Sequence, residues 1–369
     1  MRTDIGLYVH VPFCVRKCNY CDFASVSADS VFRDKYIAHL CSEIQSYERE
    51  KPRINSVFFG GGTPSLLSPK DIYLLRKKID DAFILNDNTE FTVEVNPGAL
   101  TVESLLAFLD CGVNRFSIGL QSIHENEMKI LGRIHNYEDF LSTYKLLRHH
   151  GAANVSVDLM FGIPKQSVQS FEKTLSEIIE IAPEHLSAYG LILEEGTPLY
   201  KAKSSLNLPN EDEERQMYFL ACEKLSGAGY QHYEISNFSR KGYSCRHNLK
   251  YWKDEEYIGV GLSAHSYYKG VRYGNSRRFD EYFANKGREL NELSDEDVKF
   301  EYTMLALRLS EGISLSDYEN RFHENFLNGK EKTVSNLAKN ELVAVEDGRL
   351  FLTEKGFWVS NSVITELLS

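Results

Sequence analysis

The sequence predicts an α/β chain: a partial (βα)6 barrel with a small winged-helix-like C-terminal domain. Three observations carry this. Between Tyr8 and Leu193 six β-rich runs alternate with amphipathic stretches, the pattern of parallel strands covered by helices. A closed eight-unit barrel takes about 250 residues, so six units in a shorter span point to an open barrel. From Ser294 onward the pattern becomes helices followed by a hairpin. The expected divisions are 1–200 for the barrel, 201–293 for an extension of it, and 294–369 for the C-terminal domain.

Leu7-Tyr-Val-His-Val11 is a short apolar alternation and reads as the first strand. Residues 33–50 place Ile37, Leu40, Cys41, Ile44 and Tyr47 on one helical face. Ser56-Val-Phe-Phe59 is the second strand and ends in Gly60-Gly-Gly-Thr-Pro64. Ser68-Pro-Lys-Asp71 opens a helix with a cap residue, a proline at N1 and an acid at N3. Its buried face is Ile72, Leu75, Ile79 and Phe83. Residues 91–95 form the third strand, closed by Asn96-Pro-Gly98, and the helix over 102–110 stops near Gly112. Residues 114–121 are the fourth strand, and a helix over 138–150 stops at Gly151. The fifth strand is 155–160, the next helix 169–181, and the sixth strand 185–193. Residues 204–212 read as a polar loop and 213–228 as a helix, whereas 230–275 is rich in Tyr, Gly and His with few regular repeats. Helices are expected over 298–309, 314–326 and 333–339, then two strands around the Asp347-Gly348 turn.

Composition excludes several classes. The 369 residues carry 53 Asp and Glu against 42 Lys and Arg, a formal net charge of −11. A broad nucleic-acid surface needs clustered cations, so no nucleic-acid partner is expected. The acidic C-terminal domain lacks a basic recognition helix and reads as packing or a substrate cover. No signal peptide is expected, and no apolar run nears the roughly 20 residues that cross a bilayer. Seven cysteines, an odd count without a secretory context, argue for reduced thiols and a cytoplasmic location. Cys41, Cys111 and Cys222 fall in apolar helical patterns and read as core.

Cys14, Cys18 and Cys21 follow the first strand at C-x3-C-x2-C spacing. A strand end followed by a turn lets three thiolates converge on one metal centre. A cubane iron–sulfur cluster normally takes four cysteines. Three leave one iron with an open position, as in catalytic rather than closed zinc sites. A zinc site short of its fourth ligand and a chance group of buried cysteines are the alternatives. The run Y-x-H-x-P-F-C-x3-C-x-Y-C, from Tyr8 to Cys21, resembles the cluster loop of radical S-adenosylmethionine (SAM) proteins. The resemblance is to the branch containing oxygen-independent coproporphyrinogen III dehydrogenase and the haem chaperone HemW. It implies the (βα)6 barrel form and a [4Fe-4S] cluster whose open iron is chelated by the amino and carboxylate groups of SAM. Electron transfer from such a cluster cleaves SAM to a 5′-deoxyadenosyl radical.

Strand C-terminal ends are where βα-barrel sites assemble. Gly60-Gly-Gly-Thr63 permits close approach to a ligand or makes a tight turn, and without a following Gly-Lys-Ser/Thr it is not a P-loop. Glu94, Gln121 and Asp158 fall on the third, fourth and fifth strands, and Arg133 in the loop beyond. Alone, each reads as a solvated or salt-bridged group. The resemblance implies that Gly61, Gly62 and Thr63 hold the SAM amino group. It further implies that Glu94, Gln121, Arg133 and Asp158 contact the amine, ribose and carboxylate, where the planar fork of an arginine suits a carboxylate. Tyr8 is implied near the SAM carboxylate or sulfonium, and Tyr20 near the adenine. No catalytic residue is assigned.

Three features bear on the reaction. The dehydrogenase of this family carries a fourth cysteine, C-x3-C-x2-C-x-C, where this sequence has Phe23. It also has a longer segment before the cluster strand. His247-Asn-Leu-Lys-Tyr-Trp252 matches the H-N-x-x-Y-W signature of the haem chaperone branch, and Gly259-Val-Gly-Leu-Ser-Ala-His-Ser266 continues the match. A neutral imidazole is a common proximal haem ligand, which makes His247 the candidate and Cys245 its rival. In a helix His247 and Tyr251 share one face, Asn248 and Trp252 another. The alternative is that His247 and Asn248 stabilise a turn while Tyr251 and Trp252 plug the barrel. No C-x-x-C-H is present, so covalent haem attachment at that motif is not expected. The resemblance therefore implies a chaperone that carries haem as cargo beside a SAM-coordinated [4Fe-4S] cluster. Its partners are a one-electron reductant and an apo-haemoprotein acceptor, soluble or membrane-bound. Oxidative decarboxylation of coproporphyrinogen III is the competing activity.

Overall fold

The computed structural model describes residues 4–368, so the Met1-Arg-Thr lead-in and Ser369 lie outside the described residues. Six strands lie side by side in sequence order, all parallel: β1 (Ile5–Val11), β2 (Arg53–Gly61), β3 (Ile84–Val95), β4 (Arg115–Gln121), β5 (Val155–Phe161) and β6 (His185–Gly190). Between them run α1 (Ser30–Gln45), α2 (Pro69–Ala82), α3 (Val102–Asp110), α4 (Glu125–Leu131), α5 (Tyr137–His149) and α6 (Val168–Ile181). The helix expected over 33–50 begins earlier because the Asp29 carboxylate accepts the Phe32 N–H at 2.8 Å. At α2 the Ser68 hydroxyl accepts the Asp71 N–H at 3.3 Å, with Pro69 at N1.

Period-two alternation divides each strand. Leu7, Val9, Val57, Phe59, Val93, Phe116, Ile118, Val157 and Leu186 are buried with Ile37, Leu40 and Ile44 of α1, Leu75 and Ile79 of α2, and Phe171, Leu175 and Ile178 of α6. Full burial of each such side chain is worth about 1.5–3 kcal/mol, and this layer between sheet and helices is the core. The alternate residues Tyr8, Phe58, Glu94, Ser117, Gln121, Asp158 and Ser187 line the lumen. A closed barrel fills its interior with branched apolar side chains; this lumen instead mixes aromatic rings such as Tyr8 and Phe58 with charged and hydroxyl side chains.

After α7 (Pro198–Lys201) and α8 (Glu211–Gly227), both edges of the barrel are extended. β7 (Gln231–Glu234) and β8 (Asn237–Ser239) add to β6 in antiparallel fashion. Beyond α9 (Arg246–Trp252), β9 (Tyr257–Val260) pairs parallel with β1. Antiparallel β10 (His265–Tyr268), β11 (Val271–Gly274) and, after α10 (Phe279–Phe283), β12 (Glu289–Glu292) complete a twelve-stranded sheet among the described residues. The stretch 230–275 is thus largely regular. Its strands of three and four residues are too short to show alternation and are held by ladder partners on existing edges. The sixth strand stops at Gly190 rather than 193, its last ladder bond to β5 being Leu191 N–H to Phe161 O at 2.8 Å.

The C-terminal domain is α11 (Asp295–Ala306), β13 (Ile313–Ser314), α12 (Leu315–Phe322), α13 (Glu331–Lys339), β14 (Val343–Glu346), β15 (Arg349–Leu352), α14 (Glu354–Trp358) and α15 (Ser360–Leu368), with strand order β13-β15-β14. This is the winged-helix-like unit. Asp347 (φ 47°) and Gly348 (φ 73°) both adopt the left-handed conformation that a tight hairpin turn requires. The helix expected to reach 326 stops at Phe322, where His323 has φ 57°. Among the described residues, no helix is long and apolar enough to cross a membrane.

Candidate functional site

The cysteine loop leaves β1 at the C-terminal mouth of the barrel. Its base is closed by Cys14 N–H to Val26 O at 3.0 Å and Val26 N–H to Pro12 O at 2.7 Å. Its far side is tied to the end of α4, where Asn19 donates from its backbone to Leu131 O at 2.8 Å and from its side chain to Ile130 O at 3.0 Å. All three cysteines are free thiols. They share one cavity of about 580 Å³ with Tyr8, Tyr20, Gly61, Gly62, Thr63, Glu94, Gln121, Arg133, Asp158 and His247. The sequence candidates for the cluster, SAM and haem therefore face one space, except Cys245, the rival haem ligand, which does not line it.

The sulfurs are approached by donors. The Thr63 hydroxyl lies 3.6 Å from Cys14 Sγ, and Arg133 Nη1 lies 3.6 Å from Cys18 Sγ. Burial pushes the Cys21 thiol up to about 11. Among the described residues no three Cys, His, Asp or Glu side chains are close enough to share a single metal ion. Three free thiols around a cavity, two of them with hydrogen-bond donors, are a donor set that fits a larger, thiolate-held iron–sulfur centre. Arg133 is fixed by Asn96 Oδ1 at 3.2 Å, by the Gly119 carbonyl, and by His135 Nε2 at 3.1 Å from its Nε.

Behind the sulfurs, Glu94 accepts the Gly61 N–H at 3.0 Å. Burial, with Asp158 nearby, raises Glu94 to about 7. Asp158 accepts from Ser187 at 2.8 Å and Ser117 at 3.2 Å, and burial raises it as well. Gln121 accepts the Tyr189 hydroxyl at 2.6 Å from a left-handed backbone (φ 76°). The glycine run is required by the chain itself. A Cβ on Gly62 would come within 2.7 Å of the Phe13 carbonyl oxygen, and one on Gly61 within 2.4 Å of the His10 ring. Those glycines let β2 abut the cysteine loop.

His247 lies on α9, whose first N–H groups, from Arg246 and His247, are accepted by Glu90 at 2.9 and 3.0 Å. The ring is buried and both nitrogens are engaged, Nδ1 with Ser56 Oγ at 3.0 Å and Nε2 with the Tyr251 hydroxyl at 2.8 Å. Burial, with Lys250 next, lowers its pKa to about 3. Asn248 and Tyr251 also line the cavity. Trp252 lies off it, beneath the Arg308 guanidinium at 5.9 Å. Cys245 is fully buried with its sulfur 3.5 Å from Glu90. Asn96, Arg115, Ser117, Ser187, Tyr189 and Asn237 also line the cavity and were not singled out in the sequence. For Arg115, Ser117, Ser187 and Tyr189 strand parity was the available signal, since each lies an even number of residues from Gln121 or another lumen residue on its strand, and Asn96 follows β3 two residues after Glu94.

An open parallel barrel with three cysteines at its mouth defines a radical SAM protein, and the model of the Radical SAM superfamily matches residues 8–178. That of the HemN C-terminal domain matches 293–359. Within the superfamily the chain belongs to the HemW family. It is 35% identical to the heme chaperone HemW of Lactococcus lactis, over 98% of this chain and 96% of that one. It is 38% identical to Escherichia coli heme chaperone HemW over 71% and 69%. The mitochondrial radical S-adenosyl methionine domain-containing protein 1 of Danio rerio is 33% identical over 99% and 87%. Among solved structures, coproporphyrinogen III oxidase (HemN) from Escherichia coli aligns with a TM-score of 0.86 over 99% of this chain and 90% of that one, at 22% identity, a likeness of fold.

Proposed function

We propose that this protein is a cytoplasmic haem chaperone, which binds haem and hands it to an apo-haemoprotein. The observation that carries this reading is chain-long identity to proteins named heme chaperone HemW. Phe23 is in accord with it: the position of the dehydrogenase's fourth cysteine holds an exposed apolar ring at the cavity edge. In this reading Cys14, Cys18 and Cys21 hold a [4Fe-4S] cluster, and SAM lies against Tyr8, Tyr20, Gly61, Gly62, Thr63, Glu94, Gln121, Arg133 and Asp158. When bound, the cluster supplies an open iron for the SAM amino and carboxylate groups and a route for single electrons from a reductant. Arg133, held by Asn96 and His135, positions a fixed charge beside Cys18. His247 is the proposed haem ligand, and ligation through Nε2 requires the Tyr251 hydroxyl to move away. No nucleic acid takes part.

The test is anaerobic. The reconstituted protein is given SAM, reductant and coproporphyrinogen III, and separately haem and an apo-haemoprotein. Haem transfer without decarboxylated product is expected. Multiple-turnover decarboxylation would make the protein a porphyrin-pathway enzyme in spite of Phe23.

A further inference from the structure

Arg115 begins β4 on its lumen face and is 2% exposed, among the largest fully buried side chains of the protein. It lines the cavity together with Ser117 and Asn237. Its Nε has no hydrogen-bond partner. Among the described residues its guanidinium forms neither a hydrogen bond nor an ion pair. The carboxylates whose field it feels, Glu90, Asp158 and Glu94, have other donors, that of Glu94 being the Gly61 N–H. Glu90 accepts two backbone N–H groups of α9, and Asp158 accepts the hydroxyls of Ser117 and Ser187. Two more buried polar atoms lack partners, Thr92 Oγ1, opposite Arg115 in the β3–β4 register, and Asn237 Oδ1. A buried cation without a directly bonded anion is costly, and buried polar groups are normally satisfied. A rigid planar donor fork left open in a cavity matches a carboxylate.

We propose that Arg115 anchors a carboxylate of the bound ligand. The inference rests on the haem reading above, in which that carboxylate is a propionate of the tetrapyrrole. The cavity already serves SAM in that reading, so an arm of the macrocycle reaches Arg115 while the ring stays toward the mouth. SAM carries the same chemical group, and the experiment separates the two sources.

Haem and haem dimethyl ester, which lacks free carboxylates, are titrated anaerobically into cluster-loaded wild-type and Arg115→Gln protein, with SAM affinity and thermal melting measured in parallel. Wild type is expected to bind haem at least tenfold more tightly than the ester. Arg115→Gln brings that ratio near one and melts no lower than wild type, since an unpartnered buried charge has been removed. An unchanged ratio overturns the proposal. So does loss of SAM affinity with the ratio preserved, which assigns the carboxylate to SAM. A variant that fails to fold or melts lower makes Arg115 a structural ion and likewise overturns it. If wild type binds neither compound, the haem reading fails on its own. Arg115 is then judged by inorganic phosphate at matched ionic strength: stabilisation of wild type alone supports an anion site, and equal shifts in both proteins sink it.

Discussion

Cys18 faces the Arg133 guanidinium at 3.6 Å, so its sulfur is the one most directly matched to a fixed positive charge. In the proposed cluster it is one of only three protein ligands. Cys18→Ser is therefore expected to lose nearly all iron and sulfide after reconstitution, together with the cluster absorbance; a full complement in the variant would remove Cys18 from the ligand set. His247 is a different case, because both its nitrogens are already satisfied. Removing the Tyr251 hydroxyl frees Nε2 of a hydrogen bond worth about 1 kcal/mol net. Tyr251→Phe is expected to tighten haem binding about fivefold, and His247→Ala to weaken it and alter the spectrum. Unchanged affinity and spectrum in both variants would place the iron ligand elsewhere. The residues legible in the sequence were those with unusual chemistry at unusual spacing, the cysteines and the H-N-x-x-Y-W run. Arg115 and Asn96 escaped because a charge or amide at the end of an apolar run is ordinarily solvated, and only the open barrel turns that end inward.

At the scale of elements, the strongest amphipathic signals were readable. β1 to β6 and their helices declared themselves through alternation and caps such as Ser68 and Asp29. The short α4 did not, because seven residues give less than two full periods of a helix. Yet α4 holds the cysteine loop through the carbonyls of Ile130 and Leu131, which receive Asn19. Gly132 ends it in the left-handed conformation (φ 74°), and a Cβ there would meet Asn19 at 2.7 Å. Gly132→Ala should cost about 1–2 kcal/mol from backbone conformation and also push Asn19 off the helix end. The expected result is a lower unfolding midpoint with faster loss of cluster absorbance in air. Decay at the wild-type rate would show that α4 does not brace the loop.

Over the whole molecule, the barrel extension and the C-terminal domain meet along a buried seam. Ile235 N–H bonds to Arg308 O at 3.0 Å and Ser310 N–H to Tyr233 O at 3.1 Å. His232 stacks on Phe238 at 4.2 Å and lies 5.3 Å from the Phe357 ring. Glu234 is fully buried there, with one carboxylate oxygen lacking any partner. Burial moves the two groups in opposite directions, Glu234 up from 4.5 to about 7 and His232 down from 6.5 to about 4. Both are therefore neutral in the folded seam over the interval between those values. His232 lowers stability as the pH falls from 6.5 toward 4, because the unfolded chain takes up a proton that the seam refuses. Glu234 has no such cost below pH 4.5; its cost grows as the pH rises to about 7 and is constant above. Glu234→Gln keeps the shape, removes the ionisation and supplies an amide donor for the partnerless Asn237 Oδ1. Denaturant unfolding should then show the variant more stable by about 1 kcal/mol at pH 5 and by up to about 3 kcal/mol at pH 8. A gap independent of pH, or a variant weaker than wild type at pH 8, would mean that Glu234 is ionised and paired in the folded seam.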